Sequence, residues 1–73
     1  MGPEKRALKN LAKHLRQFRL DRGWSQDVLA ERVDSDRTYI SDMERALRNP
    51  SLKTLARLAS ALGVRIGDLC DSD

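Results

Sequence analysis

Apolar residues recur every three or four positions in the first third of the chain, and lysines and arginines occupy many of the positions between them. The apolar positions are Leu8, Leu11, Leu15 and Phe18. This spacing places them on one face of a helix. Pro3 suits a first helical turn and Gly23 suits the left-handed position after a helix, so the pattern predicts a helix over about Glu4–Arg22.

Two shorter helices should follow, each preceded by a residue whose side chain can accept a hydrogen bond from a free backbone N–H. Ser25 is the expected cap of a helix over about Gln26–Arg32. Asp36 is the expected cap of the next helix, over about Arg37–Arg45. The segment Val33–Ser35 remains as a short turn between these two helices.

The second half of the chain predicts two more helices. Asn49-Pro50 interrupts the helical pattern, because proline disfavours helix in the residue before it. Ser51 would cap a helix over Leu52–Leu62, which Gly63 ends. This helix has an apolar repeat at Leu52, Leu55, Leu58, Ala59 and Leu62. A short fifth helix over about Ile66–Cys70 completes an all-α fold.

Length and composition agree with one small globular domain. The 73 residues are 40% hydrophobic and 34% charged, which is too apolar for a disordered tail and too charged for a membrane protein. We find no apolar run that resembles a signal peptide or a membrane span, so we expect a cytoplasmic protein without membrane contact. The net charge is +3, and the stretch from Lys5 to Arg22 is rich in Lys and Arg, which permits a basic face.

The second and third predicted helices, at about 26–45, form a helix-turn-helix arrangement whose second helix can enter the major groove of DNA. Arg37 on that helix can make a bidentate pair with guanine, and Thr38 and Ser41 can donate, accept or touch a thymine methyl. Asp42 can accept from cytosine or repel phosphate. These residue types also occur on any solvated helix face, and composition alone does not separate the two interpretations.

A longer ordered set of residues goes beyond this motif. It comprises Leu15-Arg16, Phe18-Arg19, Gly23-Trp24-Ser25-Gln26, Leu29-Ala30, Tyr39-Ile40-Ser41, Met43-Glu44-Arg45, Arg48-Asn49-Pro50-Ser51, Leu55 and Ala59-Ser60-Ala61-Leu62-Gly63-Val64. With this set, the chain from about Leu8 to Cys70 resembles the phage-repressor and Cro-like helix-turn-helix domains, also called XRE-like regulators. The run Asp36–Ser41, followed by Glu44-Arg45 and Arg48-Asn49, is most similar to the controller proteins of restriction–modification systems.

The resemblance implies a compact five-helix lambda-repressor-like domain over residues 1–73 and a role for individual residues. The residues that would contact bases are Arg37, Thr38, Ser41 and Asp42. The residues that would contact or frame phosphates are Gln26, Tyr39, Arg48, Asn49 and Ser51. The fifth helix, at about 66–70, would form much of a dimer interface with Val64, Ile66, Leu69 and Cys70. Arg19 and Glu44 would form a partly buried ion pair that orients the recognition helix.

The chain departs from the family pattern at four positions. Asp34 replaces the glycine usual in the turn, although aspartate tolerates positive φ better than most residues, and Ser35 stands where an apolar residue is common. Ala46 replaces the glycine usual after the third helix. Because alanine at positive φ would be strained, the alternative to an end at about Arg45 is that this helix continues past Ala46. Cys70 stands where a bulky aromatic residue is frequent.

The leading hypothesis is a sequence-specific transcription regulator that binds double-stranded DNA as a homodimer on a two-fold-symmetric operator. The resemblance points to a restriction–modification operon. The alternative is a protein-interaction module, such as an antitoxin whose main partner is another protein. An enzyme is not expected, because we find no phosphate-binding loop and no nucleophile–base pair. One histidine and one cysteine cannot supply a four-ligand zinc site, and no metal, cofactor or small-molecule ligand is expected.

Overall fold

Five α-helices follow one another along residues 2–71, the part of the chain that this computed structural model describes. They are α1 (Pro3–Asp21), α2 (Gln26–Arg32), α3 (Arg37–Glu44), α4 (Leu52–Leu62) and α5 (Ile66–Cys70). No strand lies within residues 2–71, so the predicted all-α fold is confirmed. The bounds predicted for α2, α4 and α5 are correct, whereas α1 begins and ends one residue earlier than predicted.

Side-chain caps determine where α2, α3 and α4 begin. In each case, an oxygen of the residue before the helix accepts a hydrogen bond from a backbone N–H in the first helical turn. The three pairs are Ser25 Oγ with Val28 N at 3.1 Å, Asp36 Oδ1 with Tyr39 N at 2.8 Å, and Ser51 Oγ with Thr54 N at 3.2 Å. All three caps were predicted from the sequence, and each stabilises its helix by about 1 kcal/mol.

The core is aliphatic, and every helix contributes to it. Its fully buried side chains are Leu15, Leu29, Ile40, Met43, Leu58, Leu62 and Leu69. The helices share one core because α1 packs on α3 and α5, α2 packs on α3, and α4 packs on α5. Burial of each of these side chains stabilises the fold by about 1.5–3 kcal/mol relative to exposure.

Four of the helices end in the same kind of turn, in which one residue takes the left-handed conformation. These residues are Gly23 (φ 71°), Asp34 (φ 55°), Ala46 (φ 59°) and Gly63 (φ 70°). In each turn, the N–H of the left-handed residue donates to the carbonyl three residues back, and the next N–H donates to the carbonyl five residues back. This pair of hydrogen bonds is the Schellman motif, which satisfies carbonyls that a helix end leaves without partners.

α3 ends at Glu44, one residue before the predicted end, so the alternative that it continues past Ala46 is wrong. Ala46 N donates to the Met43 carbonyl at 3.1 Å, and Leu47 N donates to the Asp42 carbonyl at 2.8 Å. These two hydrogen bonds offset the strain of one left-handed alanine, which amounts to about 1–2 kcal/mol. The turn after α3 therefore reverses the chain without a glycine.

Candidate nucleic-acid interface

The helix α3 separates buried from exposed side chains along its length. Ile40 and Met43 are fully buried in the core. The residues predicted to contact bases share the remaining surface: Arg37 and Thr38, which are exposed, and Ser41 and Asp42, which are half-buried. Because residues three and four apart are neighbours on a helix, these four side chains form one continuous polar surface.

The turn between α2 and α3 determines how these two helices meet. Asp34 N donates to the Glu31 carbonyl at 3.3 Å, and Ser35 N donates to the Ala30 carbonyl at 2.9 Å. Ala30 is buried, and its small side chain permits α2 and α3 to pack closely. The result is two short packed helices joined by a tight turn, with the polar surface of α3 left uncovered by α2.

A buried ion pair joins α3 to α1. Arg19 donates through Nε to Glu44 Oε2 at 2.7 Å and through Nη2 to Glu44 Oε1 at 2.9 Å, so the pairing is bidentate. The two side chains are 10% and 4% exposed. Hydrogen bonding to Glu44 raises the pKa of Arg19 above its usual value, although burial alone would lower it. The ion pair expected from the sequence is therefore present, and both partners are deeply buried.

The Glu44 carboxylate also binds a side chain of α2. Gln26 Nε2 donates to Glu44 Oε1 at 3.2 Å, and Arg19 Nη1 donates to the Trp24 carbonyl at 2.8 Å, just before α2. Sequence reasoning placed Gln26 at a phosphate and missed this bond, since spacing along the chain does not reveal which residues meet at the end of α3. The bond uses one of the two amide N–H groups of Gln26. Glu44 thus ties α1, α2 and α3 together at one point.

A second arginine folds back onto α3 from the loop that follows it. The Arg48 guanidinium carbon lies 4.8 Å from the centre of the Tyr39 ring. Arg48 Nε lies 3.7 Å from Asp42 Oδ2, an ion-pair distance that is too long for a hydrogen bond. Sequence reasoning placed Asp42 at a base and missed its pairing with Arg48. The signal that could have found it is Ala46, because a left-handed residue there turns the chain back toward α3.

Asn49 and Ser51 occupy the loop before α4 and are both exposed. Asn49 Nδ2 lies 3.5 Å from Glu4 Oε1, which places the first turn of α1 beside this loop. Ser51 Oγ accepts from Thr54 N and donates to Thr54 Oγ1 at 3.1 Å, so its hydroxyl proton is engaged. Ser51 would therefore have to exchange a partner before it could donate to a phosphate.

The helix α5 presents only part of the surface predicted for a dimer. Val64, Ile66 and Cys70 are half-buried in the single chain. Leu69 is fully buried, and its assignment to a dimer interface is wrong. Because α5 packs on both α1 and α4, Leu69 belongs to the core of its own chain.

Polar contacts attach α5 to α1. His14 Nδ1 donates to the Leu69 carbonyl at 3.1 Å, and Asn10 Nδ2 lies 3.5 Å from the Cys70 carbonyl. Burial raises the pKa of the Cys70 thiol, and the Asp71 carboxylate adds to this effect. A thiol held in its protonated form is a weak nucleophile, which disfavours a redox role for Cys70.

Two large apolar side chains in and after the α3–α4 loop remain exposed. Leu47 is 60% exposed and Leu52 is 70% exposed. The apolar repeat of the fourth helix predicted Leu52 on its inner face. Its position in the first turn of α4 places it outside the core, so the buried stripe of α4 is shorter than the repeat suggested.

A match over most of the chain identifies its family. Residues 15–69, from α1 to α5, match the model of the helix-turn-helix family of XRE type. The chain belongs to this helix-turn-helix family. Helices α2 and α3 are its helix-turn-helix pair.

Two relatives illustrate the range of this helix-turn-helix family. A hypothetical transcription factor of Neisseria meningitidis serogroup B is 46% identical over 54 residues, which are 74% of this chain and 51% of that protein. Control protein C.BamHI of Bacillus amyloliquefaciens is 48% identical over 58 residues, which are 78% of this chain and 72% of that protein. The chain thus spans about half the length of the Neisseria relative.

Solved helix-turn-helix structures have the same fold. The crystal structure of a hypothetical transcription factor from Neisseria superposes with a TM-score of 0.86 at 40% identity, covering 92% of this chain and 77% of that one. The restriction–modification controller protein C.Esp1396I, crystallised as a tetramer with its natural 35 base-pair operator, superposes with a TM-score of 0.75. It is 36% identical, and the match covers 81% of this chain and 78% of that one.

The described residues contain neither a membrane-spanning helix nor a metal-binding cluster. Within residues 2–71, no helix combines the length and the apolar character needed to cross a membrane. Over the same residues, no group of three or more His, Cys, Asp or Glu side chains is arranged to hold a metal ion.

Proposed function

We propose that this chain is a sequence-specific regulator that binds double-stranded DNA as a homodimer, with α3 in the major groove. The observation that carries the proposal is the division of α3 into two parts. Its inner face and its last residue, Glu44, are fixed in the core, and its first two residues, Arg37 and Thr38, are exposed. A helix whose inner face is fixed in the core and whose first side chains are exposed can present those side chains in a defined position.

Base reading belongs to the N-terminal part of α3 in this proposal. An α-helix such as α3 has a diameter of about 10–12 Å with its side chains, which fits a major groove about 12 Å wide. Arg37 pairs with the O6 and N7 atoms of a guanine, while Thr38 and Ser41 contact the neighbouring bases. Asp42 is paired with Arg48 and is not among the base-reading residues of this proposal.

Phosphate contacts surround this base-reading surface. Gln26 is the first residue of α2, where free backbone N–H groups and the helix dipole favour an anion. Arg48 supplies a cation, with Tyr39 beneath it, and Asn49 and Ser51 extend the contact toward α4. Such contacts fix the register of the protein on the duplex but carry no sequence information directly.

The homodimer is expected to form around α5. Val64, Ile66 and Cys70 are half-buried side chains that a second copy could cover. Two copies related by a two-fold axis would place their α3 helices in successive major grooves, so the two half-sites lie about one helical turn apart. The likeness to C.BamHI and C.Esp1396I supports a role in a restriction–modification operon, in the cytoplasm with the DNA.

Selection of bound duplexes from a random DNA pool, at near-physiological salt, tests the proposal. The expected result is an enriched, two-fold-symmetric motif with half-sites about one helical turn apart. The control is the same selection with the destabilised variant Glu44→Ala, whose remaining folded fraction is measured. This control shows how much DNA an unfolded basic chain binds. No enrichment by a folded, dimeric protein would contradict the proposal, and would favour a module whose main partner is another protein.

A further inference from the structure

Arg48 rests against two side chains of α3 instead of extending into solvent. Tyr39 and Asp42 are three residues apart and so lie on the same face of the helix. The Arg48 guanidinium carbon is 4.8 Å from the Tyr39 ring centre, and its Nε is 3.7 Å from Asp42 Oδ2. Asp42 is in turn one helical turn from Thr38. Arg48 is therefore held beside the base-reading surface.

The pairing with Asp42 leaves most N–H donors of the Arg48 guanidinium available to another partner. An arginine has five N–H donors, and the atom of Arg48 closest to Asp42 is Nε, which carries one of them. The Arg48 side chain is 55% exposed, so the two Nη groups can meet a phosphate while Nε stays beside Asp42. Arginine and phosphate form a bidentate contact of this kind at about 2.7–2.9 Å.

Asp42 itself is poorly placed to gain from contact with DNA. A lone carboxylate in the major groove meets the repulsive field of the phosphates, and pairing with Arg48 reduces that repulsion. Contact of Asp42 with a cytosine would draw the carboxylate away from Arg48 and leave both charges in less favourable surroundings. The pairing of Asp42 with Arg48 therefore favours an indirect role, in which Asp42 affects DNA binding through Arg48.

We propose that Asp42 is a positioning residue, which together with Tyr39 holds Arg48 in the orientation that binds one phosphate of the operator. This inference rests on the proposed function. A positioned cation favours the operator complex, where base contacts fix the phosphates relative to α3, because less side-chain entropy is lost on binding. Random DNA offers no fixed phosphate position, so it gains nothing from the positioning and still meets the charge of Asp42.

The test compares affinities for the selected duplex and for a duplex of random sequence, in variants that retain the wild-type melting curve. For Asp42→Asn, we expect affinity for the selected duplex to fall and affinity for the random duplex to rise slightly. The ratio of the two affinities should fall about threefold to tenfold. In an Arg48→Gln background, Asp42→Asn should leave that ratio unchanged.

Two controls separate positioning from bulk charge. Asp27→Asn removes an exposed carboxylate from the first turn of α2, and should change both affinities by the same factor. Arg48→Gln should reduce the dependence of log affinity on log salt by about 0.9, the value for one phosphate. That change verifies that Arg48 contacts a phosphate at the selected duplex.

Several outcomes would overturn the inference. An equal change of both affinities in Asp42→Asn would assign the effect to net charge, and an undiminished effect in the Arg48→Gln background would exclude action through Arg48. A gain of affinity for the selected duplex would mean that Asp42 opposes Arg48. If the wild-type protein binds no duplex, the proposed function fails as well, whereas each of the other outcomes removes only the role of Asp42.

Discussion

Two arginine–carboxylate pairs involve α3, and they differ in burial and geometry. The pair of Arg19 with Glu44 is bidentate, with distances of 2.7 and 2.9 Å and side chains that are 10% and 4% exposed. The pair of Arg48 with Asp42 has a separation of 3.7 Å and side chains that are 55% and 27% exposed. The two carboxylates are two residues apart, which places them about 200° apart around the helix.

The two pairs have different roles because water reaches one of them and is excluded from the other. Where water is excluded, an unpaired charge is so unfavourable that the partners remain together and the helices they belong to are held in place. Where water reaches both groups, the attraction is screened and the pair contributes little to folding. The buried pair thus belongs to the fold, and the exposed pair remains available to a phosphate.

The largest expected effect is on the stability of Glu44→Ala. Removal of this carboxylate leaves the Arg19 guanidinium buried without its partner, and we expect a loss of about 3–5 kcal/mol in the free energy of unfolding. Asp42→Ala removes the other carboxylate of α3 and should lose less than about 1 kcal/mol. Urea unfolding followed by circular dichroism measures both. Equal losses in the free energy of unfolding for the two variants would contradict the difference between the buried and the exposed pair.

A smaller loss of stability is expected when Gln26, which donates to the Glu44 carboxylate of the buried pair, is replaced. Gln26→Ala deletes the 3.2 Å hydrogen bond to Glu44, and should lower the free energy of unfolding by about 1 kcal/mol and weaken DNA binding. Gln17→Ala is the matched control, since Gln17 makes an exposed hydrogen bond of 2.9 Å to Asp21 on α1. Fluorescence anisotropy with the selected duplex measures binding. Unchanged affinity in Gln26→Ala would remove Gln26 from the phosphate contacts.

A substitution at Ala46, in the turn between Glu44 and Arg48, should give the smallest change in stability. Ala46 lies at φ 59° between Glu44 and Arg48, and glycine there would relieve strain at the expense of a more flexible unfolded chain. We expect Ala46→Gly to gain about 0.5–1 kcal/mol. Gly63→Ala is the reverse change at φ 70°, in open space, and should lose a similar amount. Thermal melts measure both, and a loss in Ala46→Gly would contradict this account of the turn.

The features predicted correctly depend on signals within a few residues. Ser25, Asp36 and Ser51 cap the helices that they immediately precede, and the apolar repeat of α1 identifies its buried face. Such signals act along one helix, and the sequence displays them directly. The Arg19–Glu44 pair is the exception, since it joins residues 25 positions apart and was inferred from the family resemblance alone.

The features predicted wrongly or missed depend on how elements pack. Leu69 was assigned to a dimer surface, but the packing of α5 on α1 and α4 encloses it. Strain alone suggested that α3 would pass through Ala46, whereas the two hydrogen bonds of the turn decide the outcome. The same turn brings Arg48 and Asp42 together, so a helix that continues past Ala46 does not predict their contact.

The central claim is that α3 reads bases through its N-terminal residues while the loop after it contacts only the backbone. The most direct test repeats the selection from a random DNA pool with Arg37→Ala and with Arg48→Gln. The account predicts that Arg37→Ala loses the base preference at one position of each half-site, and that Arg48→Gln enriches the wild-type motif with weaker binding. Loss of the same base preference in both variants, or an unchanged motif in Arg37→Ala, would contradict it.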